Sequence, residues 1–302
     1  MEFGAHLPLI DLDGQGYPAL PAYVDAAREA GFSALSSNDH LVFQRPWLDG
    51  IVALASVIER SGDLTLATTI SLPVVRGPAA LAKAAAALDL LSDGRFALGV
   101  GPGSSADDYA LAGVPFEERW PRFDEAIGRL RAELSDARAP AADRFYVTRP
   151  LEPRPGRPIP IWIGSWGSPV GLRRVARHGD GWLASAYNTT PEQLSAGREA
   201  LHTALRTAGR DEPEFPIALA TMWMHLTDNK AAAQATLDSL SAMLKRDPAT
   251  VADQVLIGPA GACAAKLAAY ADAGVDTVFV WPLRDPVRQL HDFGDQVIPH
   301  VR

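Results

Sequence analysis

Two side chains with catalytic potential follow the second apolar run of the sequence. The run reads SALSS (33–37), and Asn38, Asp39 and His40 come directly after it. Near neutral pH an imidazole both accepts and donates protons, so His40 is a candidate general acid or base, with Asp39 beside it. A capping aspartate and a surface histidine in a loop would give the same dipeptide. The residues alone leave both interpretations open.

A glycine-rich turn follows the fourth apolar run, RFALGVG (95–101). Gly101, Pro102 and Gly103 are small or turn-forming, and such residues would let a flat ligand approach the backbone. Glycine and proline also simply make turns, so the motif is weakly specific.

A second turn of this kind reads GSWGS and separates IPIWIG (159–164) from a helical pattern that begins near Ser168 and Pro169. A turn that feeds a helix N-terminus presents free N–H groups and the positive end of the helix dipole, which suits a phosphate. The same small residues also serve as ordinary helix caps. The residues in question are Gly164, Ser165, Trp166, Gly167 and Ser168.

Several other chemistries lack their motifs in this sequence. There is no GxGxxG or Walker A loop, so neither NAD nor ATP binding follows. There is no HxH at the first strand, no HExxH and no cysteine cluster, and no metal site is predicted. A GxSxG nucleophile elbow is also missing. The single cysteine, Cys263, lies in a helical pattern and is expected in the core.

Short apolar runs alternate with helical patterns along most of the chain. Near-continuous apolar strands that alternate with helices predict a parallel sheet covered by helices, and eight such units fit a closed (β/α)₈ barrel. In that fold the functional groups lie at the carboxyl ends of the strands. The eight predicted strands are 3–9, 33–37, 64–71, 95–101, 159–164, 181–186, 215–224 and 275–281.

Two regions interrupt this alternation. Residues 135–158 are rich in proline and arginine and are expected to form an inserted loop, and residues 226–260 are expected to hold one or two helices before the last unit. Neither resembles a domain boundary, so we expect residues 1–302 to form a single barrel domain.

Bulk composition limits the partners and the location. The net charge is −8 and no basic block is present, which argues against nucleic acid. No apolar stretch approaches the ~20 residues of a membrane span. The N-terminal residues carry no secretory signal, and one cysteine fits a reducing compartment. We expect a cytoplasmic protein with a small-molecule substrate; a homodimer stays open.

Taken together, these segments resemble the bacterial luciferase-like family of flavin- and deazaflavin-dependent oxidoreductases. The resemblance covers most of the chain, and it implies a (β/α)₈ barrel with a cofactor over its C-terminal mouth. The segments that carry it are SSNDHL, RGPAALAKAAAALDLLSDGRFALGVGPG, LAGVPFEERWPRFDEAI, IPIWIGSWGSPVGLRRVARHGDGW and CAAKLAAYADAGVDTVFVWPL.

The resemblance also implies roles for residues. It assigns the cofactor phosphate to Gly164–Ser168 and the border of the cofactor ring to Gly101–Gly103. It places the histidine of the Asp39–His40 pair near the reacting ring. It further implies a non-proline cis peptide bond behind the ring, at Thr69–Ile70.

The Asp39–His40 pair favours the deazaflavin coenzyme F420 over FMN, because deazaflavin-dependent members of the family often show it. With F420 the implied reaction is hydride transfer to or from a small organic substrate. With FMN it would be monooxygenation by externally reduced flavin. Two alternatives of other classes are a non-catalytic flavin-binding protein and a metal-dependent barrel hydrolase, for which no ligands are found.

Overall fold

The computed structural model describes residues 1–12, 16–135, 144–147, 149–210 and 212–301. Its strands are β1 (Glu2–His6), β2 (Ala34–Ser37), β3 (Thr65–Thr68), β4 (Phe96–Val100), β5 (Ile161–Gly164), β6 (Gly181–Ser185), β7 (Ile217–Leu226), β8 (Leu256–Gly258) and β9 (Thr277–Pro282).

Eight of these strands close into a parallel barrel. From β1 to β6 each strand pairs with the next, β6 pairs with β7, β7 with β9, and β9 with β1. All eight predicted strands are present, and the predicted (β/α)₈ barrel is confirmed. Strand β8 was not predicted. It lies within residues 226–260 and pairs with the last three residues of β7, so it extends the barrel wall at the end of β7.

Helices cover the outside of the barrel. They are α1 (Leu20–Glu29), α2 (Gly50–Val57), α3 (Pro73–Arg76), α4 (Pro78–Leu91), α5 (Ala106–Leu111), α6 (Arg119–Leu134), α7 (Pro169–His178), α8 (Pro191–Thr207), α9 (Lys230–Leu244), α10 (Pro248–Gln254), α11 (Ala260–Asp272) and α12 (Pro286–Gln296).

The sequence explains why the helices lie where they do. In α4 the apolar residues recur with the helical period, and Leu81, Ala85 and Leu88 are all buried against the barrel. Pro78 opens this helix at a position where its missing N–H is not needed. Cys263 is buried in α11, as expected, and burial raises the pKa of its thiol to about 11.

The two interrupting regions differ from each other. Residues 226–260 contain α9 and α10, in agreement with the expected helices, in addition to β8. Of the predicted loop 135–158, residues 136–143 and 148 lie outside the described residues, and its described part contains neither helix nor strand. No helix in the described ranges is long and apolar enough to cross a membrane.

Candidate active site

Backbone hydrogen bonds tie together the loops that leave β2, β3 and β4. The N–H of Asp39 donates to the carbonyl of Ile70 (3.0 Å), and the N–H of Ser71 donates to the carbonyl of Gly99 (2.8 Å). The N–H of Gly101 donates back to Ser71 (3.2 Å). Because these loops leave one end of a parallel barrel, three of the predicted site segments meet at its C-terminal mouth.

His40 is held by a carboxylate that the sequence did not indicate. Its Nδ1 lies 2.9 Å from Oδ2 of Asp108, a residue of α5, and its ring contacts those of Phe43 and Trp47. The His40 side chain is 22% exposed, whereas that of Asp108 is 1% exposed. Among the described residues, Nε2 of His40 has no hydrogen-bond partner, so this atom is available to a ligand.

The environment of Asp108 determines which nitrogen of His40 carries the proton. Burial by itself would raise the pKa of Asp108, but hydrogen bonds from His40 and from the N–H groups of Leu41 and Val42 (both 2.8 Å) lower it below its usual value. Asp108 is therefore a carboxylate, which can only accept hydrogen bonds. Nδ1 of His40 must be the donor, and in the neutral ring Nε2 is then a proton acceptor.

The carboxylate of Asp39 bonds to the loop after β3 and to α3 and not to His40. Its carboxylate accepts two hydrogen bonds from Arg76 (2.7 and 2.6 Å) and one from the N–H of Leu72 (3.1 Å). Arg76 also binds Asp49, the N-cap of α2. These bonds connect Asp39 to the loop after β3, whereas the imidazole of His40 bonds to Asp108.

The peptide bond Thr69–Ile70 is cis, as predicted. The Ile70 side chain then lies over two of the predicted glycines: a Cβ atom added to Gly101 would be 2.3 Å from its Cδ1, and one added to Gly164 would be 3.3 Å from its Cγ2. A larger residue at position 101 would therefore require the Ile70 side chain to move. Gly103 has a φ of +76°, a conformation that favours glycine, and the carbonyl of Pro102 accepts a hydrogen bond from Tyr109.

The turn between β5 and α7 shows features of a helix cap and also of a phosphate site. The Ser168 hydroxyl caps α7 by accepting the N–H of Gly171 (3.2 Å), and the Ser165 hydroxyl accepts the N–H of Gly167 (3.2 Å). The N–H groups of Trp166 and Ser168 donate to no described residue. The capping role is thus real, and two free N–H donors remain beside the positive end of a helix.

Two further features shape this turn. Gly167 has a φ of +85°, so any other residue there is strained whatever it contacts. The indole of Trp182, buried on β6, donates to the carbonyl of Ser165 (2.9 Å) and supports the turn from inside. Trp166 itself is 60% exposed.

The two other histidines near the mouth differ in burial. His6, the last residue of β1, is buried, and its Nδ1 lies 3.0 Å from the hydroxyl of Ser36. Burial lowers the pKa of His6 to about 3, and a hydrogen bond with the Asn38 side chain acts in the other direction. His225, near the end of β7, is bonded to Thr236 (2.8 Å), and burial together with Arg284 lowers its pKa.

A cavity of about 270 Å³ opens at the rim of the mouth, between α9 and the loops that follow β1, β2 and β9. Arg45 and Arg284 are among its lining residues, with Leu12, Leu240 and Leu283 as apolar ones. In the described part of the chain, no group of three or more histidine, cysteine or acidic side chains is arranged to hold a metal ion.

Comparison with known proteins finds a family and several relatives that match most of the chain. The family model for luciferase-like monooxygenases matches residues 3–277. An F420-dependent hydroxymycolic acid dehydrogenase of Mycobacterium tuberculosis is 28% identical over 94% of this chain and 84% of its own length. An F420-dependent glucose-6-phosphate dehydrogenase of Amycolatopsis mediterranei is 28% identical over 94% of both chains.

Solved structures share the fold. An F420-dependent secondary alcohol dehydrogenase, in complex with an F420-acetone adduct, superposes with a TM-score of 0.85 at 17% identity, over 100% of this chain and 99% of that one. The monooxygenase RslO1 from Streptomyces bottropensis gives the same TM-score at 22% identity over the full length of both chains. At these identities the likeness concerns the architecture of the barrel.

Proposed function

We propose a coenzyme and a reaction for this chain, which belongs to the luciferase-like monooxygenase family. The coenzyme is F420, and the reaction is hydride transfer to or from a small organic substrate. The observation that carries the proposal is the His40–Asp108 pair, which places a proton acceptor beside the loop of Ile70 at the mouth of the barrel. The coenzyme assignment is supported by relatives whose names specify F420.

The residues present fit such a coenzyme. Gly101 and Gly164 lack Cβ atoms, so Ile70 packs closely against both, and the Ile70 carbonyl is tied to the backbone of Asp39, the residue before His40. The turn after β5 supplies free N–H groups at the start of a ten-residue helix for a phosphate. We therefore assign the ring to the surface formed by Thr69, Ile70 and Gly101–Gly103, and the phosphate to Gly164–Ser168.

When bound, coenzyme F420 supplies a carbon that accepts or gives a hydride. An alcohol that loses a hydride from carbon also loses the proton of its hydroxyl group. His40 is the residue able to take that proton on Nε2, and to return it when a carbonyl compound is reduced. Asp108 holds the imidazole in the required tautomer and stabilises its protonated form, so we assign it a positioning role.

The proposal is tested by identifying the cofactor that the protein retains. The protein should be purified from a host that makes F420 as well as FMN, and the bound fraction characterised by mass and visible absorbance. We expect F420, and we expect that turnover consumes no oxygen. Retention of FMN together with oxygen consumption during turnover would instead establish the flavin-dependent monooxygenase, and retention of neither cofactor would refute the proposal.

A further inference from the structure

The barrel interior is filled in layers. One buried cluster takes side chains from strands all around the ring and can therefore lie only inside it: Ala34, Ala67, Ala97, Leu183, Ala218, Ala220 and Phe279. Alternate residues of a strand share a face, so residues two positions further along form the next layer, at the mouth. His6, Ser36 and Trp281 belong to that layer, since Gly4, Ala34 and Phe279 lie beneath them.

The mouth layer has two unlike sides. On the side of β4 and β5, the mouth carries Gly164, the last residue of β5, and Gly101, which directly follows β4, with Ile70 packed against both. The opposite side carries large rings from β1, β7 and β9. The imidazole of His6 is stacked on the indole of Trp281, with ring centroids 3.6 Å apart and planes inclined by 10°, and Trp223 meets Trp281 edge-on at 4.6 Å.

The aromatic side holds polar atoms that lack partners. The indole nitrogens of Trp223 and Trp281 are buried and bond to no described residue. Beside them, the side chain of Asn38 interacts with the imidazole of His6. All four side chains are at least nine-tenths buried. Buried polar groups in proteins are normally paired, because an unpaired one costs about 1–3 kcal/mol. A group from outside the chain would satisfy these atoms.

All four side chains are electrically neutral. Three are uncharged by chemical type, and the pKa of His6, lowered to about 3 by burial, keeps its imidazole neutral at physiological pH. A carboxylate or phosphate placed among them would lose its hydration without gaining a counter-ion. A carbonyl or hydroxyl oxygen would gain indole N–H donors at little cost, and aromatic faces would cover the neighbouring carbons.

We propose that His6, Asn38, Trp223 and Trp281 form the substrate subsite, and that the reacting part of the substrate is an uncharged ketone or alcohol with apolar neighbours. This inference rests on the proposed function. In the oxidation direction the carbinol C–H bond breaks and its electron pair leaves as hydride for coenzyme F420. The O–H bond breaks with transfer of the proton to His40, and the C=O double bond forms.

Binding to the coenzyme-free protein tests the subsite without any turnover. Cyclohexanone is the uncharged probe, cyclohexanecarboxylate its anionic counterpart, and glucose 6-phosphate a polar anion. Each is titrated into ¹⁵N-labelled protein while the indole N–H signals are followed. We expect cyclohexanone to shift the signals of Trp223 and Trp281 but not that of Trp120, which is 41% exposed on α6. The carboxylate should bind at least roughly tenfold more weakly, as expected for an unpaired buried charge.

Substitution gives an independent readout. Trp281→Phe keeps an aromatic ring and removes the N–H, so cyclohexanone affinity should fall about three- to tenfold, the usual cost of one neutral hydrogen bond. Trp120→Phe is the matched control and should change nothing. The dissociation constant of coenzyme F420 should be the same in both variants and in the wild-type protein.

Three results would overturn the subsite. In the first, glucose 6-phosphate shifts the two indole signals and cyclohexanone does not. In the second, the ketone and the carboxylate bind equally well. In the third, Trp281→Phe loses coenzyme affinity while its ketone affinity is unchanged. The first would show that this subsite takes an anionic ligand in place of a neutral one. Should Trp281→Phe fail to fold, the wild-type titrations decide. A protein that binds cyclohexanone at these tryptophans but does not bind F420 would keep the subsite and refute the proposed function.

Discussion

Nδ1 of His40 lies 2.9 Å from Oδ2 of Asp108, a residue 68 positions further along the chain. The contact joins the loop after β2 to α5, which follows β4. It fixes the ring of a mouth histidine that is partly exposed and whose Nε2 bonds to no described residue. The proposed chemistry depends on this relationship more than on any single residue.

Replacement of the imidazole should affect turnover far more than binding. In His40→Ala we expect kcat to fall by roughly 10²-fold or more, the usual contribution of a positioned acid or base, with little change in coenzyme affinity. His291→Ala, on the exposed face of α12, is the control. Steady-state kinetics with an authentic substrate give the answer. An unchanged kcat would remove His40 from the mechanism.

Substitutions of Asp108 and Asp39 should have different effects, the first mainly on turnover and the second mainly on stability. Asp108→Asn replaces the carboxylate that fixes the tautomer, so kcat should fall by about tenfold or more and its pH profile should shift. Asp39→Asn removes the partner of Arg76 and should lower the free energy of unfolding by about 3 kcal/mol, with a smaller effect on kcat. Chemical denaturation and pH–rate profiles distinguish these outcomes. The reverse pattern would make Asp39, and not Asp108, the residue that orients His40.

The lowered pKa of Asp108 predicts a pH dependence of stability. A carboxyl group with a folded-state pKa below its unfolded value of about 3.9 stabilises the protein above that pH, and the contribution is lost as the pH falls through the folded-state pKa. The difference in unfolding free energy between the wild-type protein and Asp108→Asn should therefore shrink as the pH falls below about 4. Urea unfolding at a series of pH values measures it, and a difference that grows toward acid would contradict the assignment.

The proposal that the turn Gly164–Ser168 binds the phosphate can be tested by adding a negative charge beside it. Val170 is 56% exposed in the first turn of α7, where a glutamate is compatible with the helix dipole. Val170→Glu should leave the fold intact and weaken binding of coenzyme F420 by roughly fivefold through repulsion of its phosphate.

The phosphate-free deazaflavin and a distant variant provide the controls for this turn. Val170→Glu should bind the phosphate-free form as well as the wild-type protein does. Leu91→Glu, at the end of α4 and 70% exposed, should behave like the wild type with both forms. Equal losses for both forms in Val170→Glu would move the phosphate away from this turn. Gly167 is unsuited to the test, because its φ of +85° makes any side chain there a strain on the backbone.

The sequence predicts the barrel well because its signals are local. Each apolar strand and each amphipathic helix is a pattern within a short window, and the order of strands and helices then limits the topology. The start of α7 after Ser168 was predictable from local capping chemistry, whereas the cis bond at Thr69–Ile70 was expected only from the family resemblance.

The partners within the site were not predictable in this way. Asp108 and Arg76 reach His40 and Asp39 only after the loops of different strands converge, so the sequence alone could not identify either partner. Nothing in the sequence marks Trp182 as the support of the phosphate turn, because its carbonyl partner is 17 residues away. The three residues of β8 are too few to show a strand period.

The most direct test of the central claim is a side-by-side titration of the purified, cofactor-free protein with coenzyme F420 and with FMN under anaerobic conditions. The two ligands should be followed by their own visible absorbance and by calorimetry. We predict saturable 1:1 binding of F420 with a dissociation constant at least tenfold lower than that for FMN. Tighter binding of FMN, or saturation by neither ligand, would contradict the assignment of this chain as an F420-dependent oxidoreductase.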